Sequence, residues 1–147
     1  MIRRLVLASA LAATAILCGC ASGPKFAEMS KTIPSVKAGE GRVYFFRSDS
    51  MFGAAIQPEI RLNTEVVGSS KPGGFFYVDR PAGSFSAAAS TETEKTLSFT
   101  LDAGETKYVR TSPSMGLLVG RIVLQLEEPA KAQAEVEKLS YAPPAKK

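Results

Sequence analysis

Residues 41–47, G-R-V-Y-F-F-R, are apolar or aromatic at every position between the two arginines. Side chains along a β-strand point alternately to opposite faces of the sheet, so positions 43 and 45 face one way and positions 44 and 46 the other. Residues 75–78, F-F-Y-V, repeat this pattern. Because both faces of these two runs need cover, we predict that they form central strands.

Other runs after residue 39 have strand character, and turn residues such as Gly, Pro and Asn separate them at short intervals. These runs are residues 60–62, 66–67, 84–89, 95–101, 106–111 and 121–126. The clearest alternation of apolar and polar side chains lies in residues 95–101, as expected of a strand with one buried face. We therefore predict a mainly β fold, a single antiparallel β-sandwich of the immunoglobulin or prealbumin type.

Residues 129–139, P-A-K-A-Q-A-E-V-E-K-L, have helical character. Ala and long unbranched side chains favour helix, and Pro129 suits a first turn. Ala132, Val136 and Leu139 fall on one narrow face, which predicts a C-terminal surface helix resting on a sheet. We expect this helix to cover the outer face of the two central strands.

The first 19 residues have the parts of an export signal. Arg3 and Arg4 precede an apolar segment, residues 5–17. As a helix that segment would reach roughly 20 Å, short of the ~30 Å hydrocarbon core of a membrane. It ends in L-C-G-C, residues 17–20, which resembles the bacterial lipobox. The resemblance implies cleavage before Cys20, a diacylglycerol group on its sulfur and a fatty acyl chain such as palmitate on the new amino terminus. The alternative is an ordinary signal with two incidental cysteines.

We divide the chain into a signal peptide (1–19), a lipidated tether (20–38), a β-sandwich domain (39–140) and a mobile tail (141–147). The tether mixes small, polar and isolated apolar residues without a sustained period. A flexible chain of this length spans about 20–25 Å, so the domain would sit that far from the membrane. Alternatively, part of the tether docks as an extra edge strand.

Composition after cleavage excludes several classes of function. The chain then keeps 16 of its 18 Lys and Arg residues against 14 Asp and Glu, and no basic cluster indicates a nucleic-acid partner. It contains no His, so His-dependent nucleophilic catalysis is excluded and the commonest metal ligand is missing. Two carboxylate pairs, Glu127-Glu128 and Glu92-x-Glu94, are interpreted as solvated charges at strand and helix ends. We expect no enzymatic activity, no cofactor, no metal and no disulfide within the monomer.

Four fragments in order resemble a family of small bacterial lipoproteins with a domain of unknown function, similar to PEGA and transthyretin-like sandwich modules. They are G-R-V-Y-F-F-R (41–47), I-R-L-N-T-E-V-V-G (60–68), P-A-G-S-F-S-A (81–87) and D-A-G-E-T-K-Y-V-R (102–110). The chain departs from the family at Asn63-Thr64, where the first hairpin lacks the Gly that a tight turn favours. The resemblance implies a β-sandwich lipoprotein with no established activity.

These observations favour a lipid-anchored, non-enzymatic protein of the cell envelope that acts through protein contacts as a structural or accessory subunit. The alternative is a module that binds peptidoglycan or another glycan. Ala21-Ser22 lacks the Asp that usually retains lipoproteins at the inner membrane, so the resemblance implies the outer membrane, with the periplasmic face favoured over the cell surface.

Lipid attachment at Cys20 is testable by intact-mass measurement of the protein extracted from membranes. We expect loss of residues 1–19 together with the added mass of the acyl groups. Cys20→Ala should abolish attachment, because more than one chain, at ~0.8 kcal/mol per buried methylene, supplies the membrane affinity. A soluble, unacylated product of the unaltered gene would contradict the prediction.

Overall fold

Nine strands and two helices make up the part of the chain described by the computed structural model, residues 20–144. The strands are β1 Glu40–Phe46, β2 Glu59–Leu62, β3 Glu65–Ser69, β4 Gly74–Pro81, β5 Gly83–Ser90, β6 Glu94–Leu101, β7 Thr106–Ser114, β8 Arg121–Glu127 and β9 Ser140–Tyr141. The helices are α1 Phe26–Met29 and α2 Pro129–Val136. The predicted signal peptide (1–19) and the last three residues of the predicted tail lie outside the described residues.

The strands form two sheets, which confirms the mainly β fold. One sheet has the order β8-β7-β1-β4-β9 and the other the order β3-β2-β5-β6. The two runs predicted to be central, β1 and β4, are neighbours in the five-stranded sheet, and each has a strand on both sides. Apolar side chains of both sheets share one core, so the arrangement is sandwich-like.

The sheets are not purely antiparallel, and this part of the prediction is wrong. β1 pairs in parallel with β7, and β4 pairs in parallel with the short β9. Strands β1 to β8 alternate in direction along the chain, so the first and the seventh run the same way. Once they are neighbours in one sheet, they can only pair in parallel.

The core between the sheets takes one face of each central strand. Val43 and Phe45 of β1 and Phe76 of β4 are buried there among apolar side chains of the four-stranded sheet. The rings of Phe45 and Phe76 stack with centroids 5.1 Å apart. The ring of Phe76 also approaches the backbone of Gly68 on β3 so closely that a Cβ there would lie 2.5 Å from it. Gly68 is therefore a packing requirement of the core.

The opposite face of the central strands forms a second core, which the predicted helix covers. Tyr44, Phe46 and Phe75 pack there against Ala132, Val136 and Leu139. Helix α2 is shorter than predicted and ends at Val136, but Leu139 beyond its end is still buried. At its start, the Glu128 carboxylate accepts hydrogen bonds from the backbone N–H groups of Ala130 and Lys131. This cap satisfies donors that have no partner inside the helix.

The segment interpreted as a free tether packs against the second core through its first half. The ring of Phe26 on α1 lies with its centroid 5.4 Å from that of Phe75. The backbone N–H of Phe26 donates to the carbonyl of Leu139 (3.1 Å), and Lys25 forms an isolated antiparallel bridge with Ser140. The first half of this segment therefore belongs to the fold, through a short helix and a single bridge rather than an extra edge strand. A single Phe without a periodic neighbourhood gave no sequence signal for that contact.

The carboxyl end of the domain also extends further than predicted. Tyr141 belongs to β9, and Ala142, which is buried, donates its N–H to the carbonyl of Phe75 at 2.8 Å. The first two residues of the predicted tail are therefore part of the fold.

The hairpin that lacks Gly closes through Asn63. This residue adopts a left-handed backbone conformation (φ 55°), which Asn tolerates better than other non-glycine residues. Its side-chain oxygen accepts the N–H of Ser86 on β5 at 3.0 Å, so the turn is held to the next strand of the sheet.

Candidate functional site

Four connections meet at one end of the sandwich, where β1 and β7 finish and β4 and β8 begin. They are the β1–β2 loop (47–58), the β3–β4 turn (70–73), the β5–β6 turn (91–93) and the β7–β8 loop (115–120). We call this region the loop end.

The loop end carries most of the large apolar side chains that the described part of the chain exposes to solvent. Leu117 is 97% exposed and Leu118 93%. The remaining exposed apolar side chains of these loops are Met51, Phe52, Met115 and Val119. Soluble proteins rarely expose a contiguous apolar surface unless something binds it, so this is the candidate functional site.

A buried arginine organises the β1–β2 loop. The guanidinium of Arg47 donates to the carbonyl oxygens of Ile56 (2.6 Å), Gly53 (2.7 Å) and Ser70 (3.1 Å). Burial without a carboxylate partner lowers the pKa of Arg47, because desolvation penalises the charged form. The three hydrogen bonds fix the path of the loop and satisfy carbonyls that the strands leave unpaired.

A carboxylate organises the β7–β8 loop. Glu92 accepts hydrogen bonds from the backbone N–H groups of Leu117 (2.6 Å), Leu118 (2.9 Å) and Val119 (3.1 Å). Hydrogen bonds from Val119, Leu118 and Leu117 lower the pKa of Glu92, because they stabilise the ionised form. Glu92, interpreted from the sequence as a solvated charge, therefore holds the apolar tip in one conformation.

An apolar cleft of about 710 Å³ opens beside these loops. It lies between the β1–β2 loop and the β5–β6 turn, and Met51 and Val119 contribute to both the cleft and the exposed apolar surface. The cleft is therefore continuous with the loop end.

Cys20, the predicted lipidation site, lies at the same end. It is exposed. The next residue, Ala21, donates its N–H to the carbonyl of Pro72 (3.2 Å) in the β3–β4 turn. Gly73 of that turn in turn donates to the carbonyl of Ser48 (3.4 Å), at the beginning of the β1–β2 loop.

The remaining charged clusters are ion pairs that hold elements together. Arg110 on β7 binds Glu135 on α2 (2.5 Å) and Glu127 on β8 (2.9 Å), and its guanidinium lies 4.8 Å from the ring centroid of Phe46. The hydrogen bond from Arg110 is the main cause that lowers the pKa of both carboxyl groups. On the other side of the same face, Arg42 binds Asp79 through two hydrogen bonds of 2.6 and 2.7 Å.

The carboxylate pairs noted in the sequence are therefore engaged separately and do not converge. Glu127 pairs with Arg110 while Glu128 caps α2, and Glu94 pairs with Arg61 while Glu92 binds the β7–β8 loop. Within residues 20–144, no group of three His, Cys, Asp or Glu side chains is placed to hold a metal ion. Across the same range, no helix is both long enough and apolar enough to cross a bilayer.

Comparison with known proteins identifies the family. A family model described as "Protein of unknown function (DUF2846)" matches residues 37–122. The chain belongs to the DUF2846 family. The matched region runs from just before β1 to the beginning of β8, so it contains all four connections of the loop end but not α2. An uncharacterized protein of Haemophilus influenzae is 24% identical over 140 residues, which cover 92% of this chain and 83% of that protein. No solved structure matches the chain.

The sequence did not single out the apolar tip. Leu117, Leu118 and Val119 lie between two predicted strands, residues 106–111 and 121–126, and belong to neither. The available signal was the run L-L-V at residues 117–119, which is apolar but lies between two glycines and outside any strand pattern. Apolar side chains in a loop at the end of a sandwich do not pack into the core between the sheets, so they remain exposed.

The role of Glu92 is testable with Glu92→Gln. An amide has one acceptor oxygen in place of two, so the N–H groups of Leu117, Leu118 and Val119 should show lower hydrogen-exchange protection by NMR. The matched control is Glu94→Gln on the same hairpin, which contacts Arg61 and Ser90 and should leave these three amides unchanged.

The same contact should depend on pH. Because the folded-state pKa of Glu92 is lowered, its stabilising effect is present above the ordinary Glu pKa of about 4.3 and is lost as the pH falls through the lowered value. Hydrogen-exchange protection of the Leu118 N–H should therefore decline in acid in the unaltered protein. In Glu92→Gln, which lacks the titrating carboxyl group, it should not show this decline. Equal protection in both proteins at neutral pH would contradict the assignment.

Proposed function

We propose that this DUF2846 protein is a lipid-anchored, non-enzymatic component of the cell envelope that acts through protein contacts as a structural or accessory subunit. Cys20 would carry the diacylglycerol and acyl groups, with the protein on the periplasmic face of the outer membrane. The observation that carries the proposal is the position of Cys20. It is exposed, and the chain packs onto the sandwich from Ala21 onward.

This position gives the anchor a different role from that of a long flexible tether. With Ala21 bonded to Pro72 and Phe26 packed on Phe75, little free chain separates the lipid from the domain. The loop end would therefore lie close to the membrane rather than about 20–25 Å from it, the span of a flexible tether of that length.

The pairing of the charged groups supports a non-enzymatic role. General acid–base catalysis needs a group whose pKa lies near the working pH. The carboxyl groups of Glu92, Glu127 and Glu135 have lowered pKa values, and each already accepts hydrogen bonds from the protein. These groups stabilise loops and a helix, and their lowered pKa values lie further from neutral pH than that of an ordinary Glu.

We also propose that the sandwich is of the immunoglobulin or prealbumin type, similar to PEGA and transthyretin-like modules. The fragments that carry the resemblance coincide with structural units: residues 41–47 with β1, 60–68 with the β2–β3 hairpin, 81–87 with the turn into β5, and 102–110 with the entry to β7. Two sheets around a shared core support this assignment.

Strand β8 offers a surface for a protein partner. It lies at the edge of the five-stranded sheet, and its seven residues include no Lys and no Pro, which commonly protect such edges. Val123 and Leu126 on this strand are partly exposed. An extended segment of a partner could add to this edge through main-chain hydrogen bonds.

The glycan-binding alternative has one observation in its favour. Phe85 and Phe99 stack at 6.1 Å beside a shallow cleft lined with hydroxyl and amide groups, including those of Asn63 and Ser98. Both rings also pack in the core between the sheets, so they offer little free face to a sugar. We therefore place the glycan module second.

Site-specific photo-crosslinking in intact cells tests the protein-contact proposal. A photoreactive residue at Gln125 on β8 should give a discrete protein adduct, whereas one at the exposed Ser98 on β6 should not. Val123→Lys should reduce the Gln125 adduct several-fold because a charge on an edge strand opposes pairing. Its free energy of unfolding should change by only about 0.5 kcal/mol, as for other surface substitutions.

Two outcomes would contradict the proposal. Identical adducts from both positions, or an adduct unaffected by Val123→Lys, would exclude β8 as a specific docking edge. Adducts recovered only with purified peptidoglycan would favour the glycan module instead.

A further inference from the structure

We propose that the loop end is a membrane-docking surface, whose apolar tips insert into the lipid bilayer that holds the anchor. The occupant of the surface is the boundary between phospholipid headgroups and acyl chains. This inference rests on the proposed lipid anchor and adds a second attachment that involves protein side chains.

The first argument is continuity between the anchor and the tips. Backbone hydrogen bonds connect Ala21 to Pro72 and Gly73 to Ser48, and Met51 and Phe52 follow Ser48 along the same loop. The β7–β8 loop emerges at this end as well, because β7 finishes and β8 begins there. A lipid on Cys20 therefore brings the bilayer to the end of the sandwich that exposes the apolar side chains.

The second argument is the form of the exposed surface. Leu117 and Leu118 are almost completely exposed, so these side chains project from the domain and contact little of it. The β7–β8 loop, M-G-L-L-V-G at residues 115–120, contains no charged or polar side chain. Projecting apolar side chains suit a fluid acyl layer, in which burial requires no complementary shape, and interfacial elements bury their apolar face about 5–10 Å deep.

The third argument concerns the backbone of the tips. Polar backbone groups that leave water need partners, because hydrocarbon supplies none. Glu92 already accepts the N–H groups of Leu117, Leu118 and Val119, and Arg47 already donates to the carbonyls of Gly53 and Ile56. These groups can leave water without losing a hydrogen bond.

A membrane at the loop end leaves the edge of β8 accessible to a protein partner. The edge runs along the side of the sandwich, from the loop end at Arg121 to the opposite end at Glu127. One end of the domain would bind lipid while its side binds protein, so the two proposals use different surfaces.

A single fluorescent probe on the full chain tests the docking. The chain has two cysteines, Cys18 and Cys20. The proposed processing removes the first and acylates the second, so an introduced cysteine becomes the only free thiol. Leu118→Cys places the thiol at the loop end, and the matched control Ala103→Cys places it in the exposed turn between β6 and β7 at the opposite end. Each protein, purified from membranes, is labelled with an environment-sensitive fluorophore.

The labelled lipoproteins are reconstituted into vesicles of phosphatidylethanolamine and phosphatidylglycerol with brominated acyl chains. We expect a blue-shifted emission at position 118 and quenching by bromine several-fold stronger than at position 103. Adding Leu117→Asp should weaken the quenching at position 118, whereas Thr100→Asp on the outer face of the other sheet should not. Equal quenching at both positions would overturn the docking. A blue shift at position 118 without bromine quenching would also overturn it, because it would indicate contact with a second copy of the chain.

The unaltered protein is treated with the same label as a control. It distinguishes failure of the membrane docking from failure of the lipid anchor, on which the docking rests. If the unaltered protein takes the label, Cys20 is not acylated, and both the anchor and the docking are overturned. If it stays unlabelled while positions 118 and 103 are quenched equally, the docking alone is overturned.

Discussion

Strand β1 needs apolar cover on both faces, and the rest of the structure supplies it. One face, with Val43 and Phe45, is buried by the four-stranded sheet, and the other, with Tyr44 and Phe46, lies under α2. Parallel pairing with β7 and antiparallel pairing with β4 satisfy its backbone. A sandwich of two sheets alone would leave the face with Tyr44 and Phe46 exposed to solvent. The fold therefore requires the helix and the segment around Phe26 to cover it.

The same strand links the core to the candidate functional site. Arg47 follows the last residue of β1, and its buried guanidinium orders the β1–β2 loop through three carbonyl groups. Arg110 of the parallel neighbour β7, which pairs with Phe46 in the sheet register, ties that sheet to α2 through Glu135. The end of the sandwich next to Cys20 therefore has a fixed framework, from which the exposed apolar side chains project. A fixed framework allows a few side chains to bind a membrane or partner without ordering a mobile loop, which would cost conformational entropy.

The central strands and the covering helix could be predicted from the sequence, because residues 41–47 and the spacing of Ala132, Val136 and Leu139 express strand and helix periods directly. The packing of Phe26 could not, since a lone aromatic residue has no period. The parallel pairing of β1 with β7 could not be predicted either. Alternation of apolar and polar side chains identifies the buried face of a strand, but not which strands become neighbours. The loop end went unrecognised because its apolar residues point away from the core, whereas sequence patterns detect residues that pack inward.

The central claim is that α2 covers the face of β1 that carries Tyr44 and Phe46. The most direct test compares the free energies of unfolding of Val136→Ala and Gln133→Ala in the domain that begins at Cys20. Val136 is buried against the aromatic face, and Gln133 is exposed on the same helix. Removing two methyl groups from a packed site should lower stability by about 2 kcal/mol. The exposed substitution should change it by less than about 0.5 kcal/mol. Equal, small effects of both substitutions would show that α2 does not cover β1 and would contradict the account.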